Sequence, residues 1–442
     1  MRSYIRSQKF LRSRRFLSGS LLGLATVLGL GLAAGQHFIA RAQAQPSDPM
    51  VPYFEADPYW PKPLPHHWQI GQTIGVSMDT HQNVWIVHRP GTLERMESYS
   101  ARGDADCCTN APDVLEFDPA GNLINSFGKV EGHDWPSSNH GITVDKDGNV
   151  WLGANGAGQP APYAPGSAEQ FARRPGAAPI SAPVEAEAGQ QRAYHDDFIL
   201  KLSHDGKFLG EIGKANASKG SLDTENVKGV ATIRFIPGTN ELIAADGYGN
   251  HRVSVWDATT LKFVRMWGAY GKPPSDDPIP HYNPDSPQWG NPVHCAEPTN
   301  DGYIYVCDRT NDRMQIFKYD GTYVKQITLE TKTKGDGSIW EIAFSRDPGQ
   351  KFMYISDGSN EKIHVFDRAT MKELYAFGGG GRNPGEFYAV HSIVTNDKGD
   401  IFTTETYRGQ RVQKFVYKGM MPLSKLMARK FIGNSEIYAP TE

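Results

Sequence analysis

The segment HGITVDKDGNVWL, residues 140–152, occurs three times in related form, and its repetition decides the fold. The other two copies are HCAEPTNDGYIYV at 294–306 and HSIVTNDKGDIFT at 391–403. Each copy has a histidine, an apolar run, an Asp/Asn/Gly turn and a second apolar run, which is the pattern of paired strands. Repetition of such a unit predicts strands arranged in a repeated, closed array.

Three more divergent copies complete the set. They are GVSMDTHQNVWIVHR at 75–89, ATIRFIPGTNELIAADG at 231–247 and EIAFSRDPGQKFMYISDG at 341–358. Each of the six is followed by a third strand ending in Phe-Asp or similar and a fourth ending near Gly. Six such units predict an all-β, six-bladed β-propeller with four-stranded antiparallel blades around a central axis. The stretch 50–66 is expected to supply a closing strand.

The first 44 residues predict an export signal. Six basic residues precede an apolar run from Phe16 to Ala34, and Ala42-Gln43-Ala44 has the form of a cleavage site. Residues 13–17, SRRFL, resemble a twin-arginine signal with one residue missing. We therefore expect a signal peptide over 1–44, a propeller over 45–442 and a periplasmic or secreted protein, with no membrane association unless the leader stays uncleaved and anchors the chain.

The charge of the chain excludes one class of partner. The leader carries seven of the 46 Lys and Arg and none of the 49 Asp and Glu, so the remainder has a net charge near −10. A nucleic-acid partner requires the opposite sign. We expect instead a small-molecule or peptide substrate that carries a carboxylate.

The second blade carries an insert over 153–193 that is rich in Gly, Ala and Pro, a composition that predicts low complexity without regular structure. It joins the second and third strands of its blade, so it leaves the propeller at the end where the first strand begins. Two interpretations remain open at this point: a mobile cover over the axial mouth, or a solvated linker.

His140, His294 and His391 occupy equivalent positions in copies two, four and six. Alternate blades of a six-bladed ring approach the axis about 120° apart, so three imidazoles would face one central point. Three protein ligands with a free fourth position describe a catalytic zinc site, and the three histidines are predicted to bind Zn²⁺ or another divalent metal. Glu341 has the equivalent place in copy five and would add a carboxylate near the axis, where a hydrogen bond to a ligand histidine is favoured over direct metal binding.

Three further residues follow second strands at the same end of the propeller: Arg89, Tyr248 and Arg309. Positive charge beside a phenol favours the phenolate, so Tyr248 is predicted to act as a general base. Arginine matches a carboxylate with a bidentate fork.

The four cysteines are too few for a disulfide scaffold. Cys295 and Cys307 are expected near opposite ends of paired strands, where a bond between them is not favoured.

Several segments resemble the catalytic propeller of the peptidyl-α-hydroxyglycine α-amidating lyases, whose repeats are NHL-like. They are VHRPG, NHGITVDKDGNVWL, AADGYGNHRVSVW, VHCAEPTNDGYIYVCDRTNDRMQIF and VHSIVTNDKGDIF. The resemblance covers most of the chain after the leader. It implies an axial zinc on His140, His294 and His391, a catalytic Tyr248, and active-site arginines at Arg89 and Arg309.

The chain departs from that family at four places. The family has an Asp directly after its last zinc-binding histidine, contributing to a structural calcium site, and this chain has Ser392 there, which leaves a structural Ca²⁺ open. The family's paired cysteines beside the tyrosine do not recur, since Gly249 follows Tyr248. The insert and the Cys107-Cys108 loop have no recognised counterpart, so the substrate is open as well.

The implied function is an exported zinc-dependent lyase that cleaves the C–N bond of an α-hydroxyglycine-like carbinolamide to an amide and glyoxylate. Two alternatives remain: a metal-dependent propeller hydrolase acting on a lactone or ester, and a binding propeller without chemistry. Release of glyoxylate distinguishes the first from the second, and stoichiometric axial metal distinguishes both from the third.

Overall fold

Short antiparallel strands make up most of the chain in the computed structural model, which describes residues 48–159, 194–279 and 282–440. The predicted leader over 1–44 and residues 160–193 of the predicted insert lie outside the described residues. In chain order the first strands are β1 (Met50–Ala56), β2 (Trp68–Gln69), β3 (Gln72–Met78), β4 (Val84–Arg89), β5 (Thr109–Asn110), β6 (Val114–Phe117), β7 (Leu123–Phe127), β8 (Asn139–Val144), β9 (Val150–Ala154), β10 (Ala157–Gln159), β11 (Tyr194–His195), β12 (Phe198–Leu202) and β13 (Phe208–Gly213).

The later strands are β14 (Val230–Phe235), β15 (Glu241–Asp246), β16 (Arg252–Asp257), β17 (Phe263–Trp267), β18 (Val293–Pro298), β19 (Tyr303–Asp308), β20 (Arg313–Lys318), β21 (Tyr323–Thr328), β22 (Glu341–Phe344), β23 (Phe352–Asp357), β24 (Lys362–Asp367), β25 (Lys372–Gly378), β26 (Val390–Thr395), β27 (Ile401–Glu405), β28 (Arg411–Pro422), β29 (Phe431–Ile432) and β30 (Ser435–Tyr438). Among the described residues, helical structure comprises α1 (Leu423–Met427) and 3₁₀ turns at Pro90–Thr92, Arg95–Ser98, Ser100–Arg102, Ala269–Gly271 and Arg309–Asn311.

The strands form the predicted six-bladed propeller. Blades one to four are β3-β4-β6-β7, β8-β9-β12-β13, β14-β15-β16-β17 and β18-β19-β20-β21. Blade five, β22 to β25, is extended by β30 and β29, and blade six combines β26, β27 and β28 with β1. The first strands contact one another in a closed cycle from β3 through β8, β14, β18, β22 and β26 back to β3, so they line the axis. The fold class predicted from the repeats is confirmed.

Closure joins the two ends of the propeller within one sheet. β1 pairs antiparallel with β28, placing Val51 opposite Met421 and Ala56 opposite Phe415. The expected closing strand within 50–66 is therefore confirmed, at Met50–Ala56. In the described part of the chain, no helix is both long enough and apolar enough to cross a bilayer.

The core consists of apolar layers between neighbouring blades. Between blades one and two, for example, Trp85 and Val87 pack with Ile142 and Leu152. Equivalent layers lie at the other junctions, and the sixth joins Phe402 of blade six to blade one. Because buried apolar area is the main favourable term in folding, each blade depends on its two neighbours.

The turn between first and second strands explains part of the repeat. In blade two, Asp145 accepts hydrogen bonds from the backbone and side-chain nitrogens of Asn149 and from the Trp151 indole. In blade one, Asp79, Asn83 and Trp85 make the same set. The Asp-x₃-Asn-x-Trp pattern therefore closes the hairpin and orients a buried tryptophan.

Two observations differ from the sequence-based expectations. β9 continues through Ala154, two residues into the predicted insert, and β10 pairs with β11 across the gap. Cys295 and Cys307 form a disulfide, so the expectation against this bond was wrong. Residues 295 and 307 are equidistant from the turn between β18 and β19, and this register places them directly opposite each other. The other two cysteines, Cys107 and Cys108, are bonded to each other.

Candidate metal centre and active site

The three predicted metal ligands converge at the axis. His140, His294 and His391 lie on β8, β18 and β26, the innermost strands of alternate blades, and all three are buried. One ring nitrogen from each lies within 4.8 Å of the others. In each strand the pairing register shifts at the histidine, between Asn139 and Ile142 in the case of His140. A bulge of this kind re-aims a side chain, here towards the axis.

Each imidazole is fixed by a backbone carbonyl of the next blade. Nδ1 of His140 lies 2.7 Å from the Ala231 carbonyl oxygen, and Nδ1 of His391 lies 2.7 Å from that of Ile74. Nδ1 of His294 lies 2.5 Å from the Trp340 carbonyl oxygen. Because a carbonyl only accepts, Nδ1 must carry the hydrogen in all three rings, so each Nε2 has the lone pair that a metal ligand requires.

The electrostatic environment keeps the rings neutral. Burial is the main reason that the pKa of each of the three histidines lies well below its usual value, and the positive charges of Arg89 and Arg309 add to the effect at His140 and His391. Nε2 of His294 is buried and has no hydrogen-bond partner. Three neutral imidazoles, one of them with an unpartnered inward nitrogen, fit a zinc-type ion, whereas calcium and magnesium prefer oxygen ligands.

Tyr248 lies beside this group. It belongs to the turn between β15 and β16, where its backbone nitrogen donates to the Gly229 carbonyl over 2.9 Å. Gly229 has a φ of +73°, and a Cβ there would lie 2.8 Å from Cβ of Tyr248, so the close packing of the two loops requires glycine. The Tyr248 hydroxyl lies 3.0 Å from Nε2 of His140.

Arg309 contacts the same hydroxyl from blade four. Its Nη1 donates to the Tyr248 oxygen over 3.2 Å, and its guanidinium lies 4.6 Å from the centre of the Trp340 ring. The residue is 6% exposed and its Nε has no partner. Arg309 is therefore a stacked, desolvated cation beside the phenol, in the 3₁₀ turn that follows β19.

Arg89 lies at the end of β4 and has a different set of partners. Its Nε donates to the Asn139 carbonyl, its Nη1 to Oε1 of Gln72 and its Nη2 to Oδ1 of Asn155, each over 2.9 Å. Burial lowers its pKa, and the nearby Tyr248 opposes that shift. All three acceptors are neutral, and no ion pair joins Arg89 to a carboxylate among the described residues.

The structure therefore brings together all six residues proposed from the sequence. It also adds residues that the repeats did not reveal, chiefly Trp340 over Arg309 and the acceptors around Arg89. Asp336 also contacts Arg309, and Tyr407 reaches it through its hydrogen bond to Asp336. Tyr407 could have been found from the repeat, because it holds the place in blade six that Tyr248 holds in blade three.

Glu341 does not play the expected part. Its carboxylate pairs with the Arg234 guanidinium, which also bonds Oε2 of Glu297 over 2.9 Å. No hydrogen bond joins Glu341 to a ligand histidine in the residues that the structure describes. The expectation failed because the first strand of blade three carries an arginine that reaches across the axis.

The serine after the last histidine bonds within the protein. The Ser392 hydroxyl donates over 2.5 Å to the carbonyl of Ile74, which also accepts from His391. Within the ranges that the structure describes, the three histidines are the one group of three or more His, Cys, Asp and Glu side chains able to hold a metal. A structural Ca²⁺ gains no support from these residues.

Comparison with known proteins gives a distant relationship. No protein-family model matches the chain. Peptidyl-glycine alpha-amidating monooxygenase A of Xenopus laevis is 24% identical over 282 residues, which make up 62% of this chain and 24% of that protein. The Mus musculus peptidyl-glycine alpha-amidating monooxygenase is 22% identical over 351 residues, 76% of this chain and 29% of that protein. The chain is a distant relative of these enzymes.

This relationship confirms the resemblance to the peptide-amidating family inferred from the motifs. The chain spans about a quarter of the length of the first two curated relatives, the A and B proteins of Xenopus laevis. Among solved structures, one titled "Streptogramin B lyase structure" aligns with a TM-score of 0.45 and 13% identity, over 83% of this chain and 98% of that chain.

Proposed function

We propose that this chain is an exported, zinc-dependent lyase that cleaves an α-hydroxyglycine-like carbinolamide into an amide and glyoxylate. The observation that carries the proposal is the convergence of three neutral imidazoles at the axis, with one phenol and two arginines beside them. The carbinolamide would carry its carboxylate beside its hydroxyl, so a metal centre and a base match the hydroxyl and a cation matches the carboxylate.

The three Nε2 atoms would hold the metal. A bound Zn²⁺ would supply Lewis acidity towards the hydroxyl oxygen of the substrate. The backbone carbonyls of Ala231, Trp340 and Ile74 would keep the ligand rings oriented, since each fixes the tautomer of its histidine.

Tyr248 would act as the base. Its oxygen accepts a hydrogen bond from Arg309, an arrangement that stabilises negative charge on the phenol oxygen. The phenolate would take the proton of the substrate hydroxyl, the C–N bond would break as the carbonyl forms, and Tyr248 would return the proton to the departing nitrogen. Atoms balance: the proton moves from oxygen to nitrogen, and no oxidant is required.

Arg89 would bind the substrate carboxylate. Three of its five N–H groups are used by neutral acceptors, which fix the guanidinium without neutralising it. The unused donors and the full charge remain available to an anion, and a buried charge-assisted hydrogen bond is stronger than one between neutral groups.

The test combines metal analysis with product detection. Purified protein lacking the leader would be assayed for bound zinc and for glyoxylate release from an N-acyl-α-hydroxyglycine, beside His140→Ala and, as the matched control, His133→Ala at an exposed site. We expect zinc and glyoxylate release in the wild type and the control, and loss of both in His140→Ala. Zinc without glyoxylate would redirect the assignment to the hydrolase alternative, and absence of metal would leave the binding propeller.

A further inference from the structure

Tyr407 repeats the position of Tyr248 on the opposite side of the ring. Tyr248 lies two residues after Asp246, which pairs with Arg252 over 2.7 Å, and Tyr407 lies two residues after Glu405, which pairs with Arg411 over 2.6 Å. Both acid–arginine pairs span six positions and anchor the turn between the second and third strands. Because blades three and six are opposite in a six-bladed ring, the two tyrosines approach the axial mouth from opposite sides.

The turn that carries Tyr407 is held in an unusual conformation. Tyr407 has a φ of +48°, in the left-handed region that residues other than glycine rarely adopt outside well-supported turns. At Gly409 a Cβ would lie 2.4 Å from Cβ of Glu405 and 2.4 Å from the carbonyl oxygen of Tyr388, so the turn closes tightly on its own blade. Tyr407 is 43% exposed, as expected for a residue at the mouth.

Asp336 joins this turn to the active site. Its Oδ2 accepts a hydrogen bond from the Tyr407 hydroxyl over 2.8 Å, and its Oδ1 lies 3.7 Å from Nη2 of Arg309. The next residue, Gly337, packs so closely that a Cβ would lie 1.8 Å from the Arg309 carbonyl oxygen. Partial burial and the Asp336 carboxylate raise the pKa of Tyr407, so its hydroxyl remains a donor at neutral pH.

Arg89 and Arg309 therefore differ in whether a carboxylate lies within ion-pair distance of the guanidinium. Arg309 faces the Asp336 carboxylate, whereas the three hydrogen bonds of Arg89 go to neutral oxygens. An incoming carboxylate would meet one guanidinium that already faces a carboxylate at 3.7 Å and another, Arg89, that forms no ion pair and has only the more distant charge of Asp196 near it. It would be attracted to Arg89 and kept from Arg309 by the like charge of Asp336.

We propose that Asp336, held by Tyr407, is a positioning residue that retains Arg309 on Tyr248 and directs the substrate carboxylate to Arg89. The inference rests on the proposed function for the identity of the substrate. The division of roles between the two arginines is independent of the reaction and can be tested by binding alone.

The test is a double-mutant cycle in carboxylate binding. Benzoylglycine has the acylated glycine carboxylate but lacks the hydroxyl, so it binds without reacting. Its affinity for the zinc-loaded protein would be measured by calorimetry in the wild type, Arg89→Lys, Asp336→Asn and the double variant. Tyr407→Phe tests whether the Tyr407 hydroxyl holds Asp336 in place. The matched control is Asp301→Asn, which removes a different carboxylate, in the turn between β18 and β19, that pairs with Arg368.

We expect Arg89→Lys alone, in otherwise wild-type protein, to weaken benzoylglycine binding roughly tenfold. In the Asp336→Asn variant, the freed Arg309 can bind the ligand carboxylate. The loss of affinity caused by Arg89→Lys should therefore fall to roughly threefold or less. Tyr407→Phe should reduce the penalty in the same direction, and Asp301→Asn should leave it unchanged. The proposal would be overturned if Arg89→Lys weakened benzoylglycine binding equally in all variants, or if the wild type did not bind benzoylglycine.

A kinetic comparison separates this inference from the proposed function. If the wild type releases glyoxylate, Asp336→Asn should lower kcat about tenfold with KM unchanged or lower, because Arg309 leaves Tyr248 while carboxylate binding is retained. Failure of the wild type to release glyoxylate would count against the proposed function and would leave the binding cycle as the test of Asp336.

Discussion

The hydroxyl of Tyr248 and Nε2 of His140 lie 3.0 Å apart, although the residues are 108 positions apart in the chain. One belongs to a turn of blade three and the other to the innermost strand of blade two. Arg309 of blade four donates to the same hydroxyl. Three successive blades thus meet at one oxygen atom.

Tyr248→Phe tests the base directly. The substitution removes one oxygen and keeps the ring that packs against His140 and His294. We expect unchanged zinc content and thermal stability, with glyoxylate release reduced by about 10²–10⁴-fold, the range for loss of a general base. Tyr59→Phe, at a side chain 76% exposed, is the control. Wild-type turnover in Tyr248→Phe would exclude the phenol as the base.

Arg234→Met tests the axial network below the metal centre. Arg234 bonds Glu297 and Glu341, and its Nη1 also approaches the Ile142 carbonyl at 3.5 Å. Removing the guanidinium leaves two buried carboxyl groups without their partner, so we expect the free energy of unfolding to fall by about 3–5 kcal/mol. Changing Glu297 and Glu341 to methionine as well should recover most of that loss. Urea denaturation of Arg234→Met and of the triple variant measures the free energy of unfolding. An unaltered urea midpoint in Arg234→Met would refute the prediction.

The Cys295–Cys307 disulfide links the strand of His294 to the strand that ends before Arg309. Replacing both cysteines with alanine should lower the free energy of unfolding by about 2–4 kcal/mol, the usual contribution of a disulfide. Zinc content should remain at the wild-type level, because the three ligands are unchanged. The Cys107→Ala/Cys108→Ala pair encloses no loop and should cost under about 1 kcal/mol. Equal losses in the two double variants would contradict this account.

His364 predicts a dependence of stability on pH. Burial alone would lower its pKa, but hydrogen bonds with Asp357 and Glu373 outweigh burial and raise the pKa from 6.5 to about 9. The folded protein therefore holds this proton more tightly than the unfolded chain. The contribution, on the order of 3 kcal/mol, is complete below pH 6.5 and is lost as the pH rises to about 9.

Unfolding in urea at several pH values measures this contribution. Other buried acids titrate in the same window, so the informative quantity is the difference between the wild type and His364→Gln. That difference should shrink steadily between about pH 6.5 and pH 9. A difference independent of pH would show that His364 is neutral in the folded protein.

The sequence predicted the blades because each contains the same hairpin signals. Asp145, Asn149 and Trp151 form a local network, and local networks repeat wherever their residues repeat. The same reasoning located the three histidines, since equivalent positions in a closed ring have equivalent orientations. It failed at Cys295 and Cys307, where the relevant information was the register around a turn, and at Glu341, whose partner Arg234 comes from a different blade.

Residue types at repeat positions were sufficient to place His140, His294 and His391 on the axis and Tyr248, Arg89 and Arg309 at one end of the propeller. Only the tertiary structure decided which carbonyl fixes each imidazole, which arginine faces a carboxylate and how Tyr407 and Asp336 reach Arg309. The physical reason is that repeat position sets the radius and height of a residue within the ring. Hydrogen bonds and ion pairs between blades depend on side chains that are remote in sequence and meet only when the ring closes.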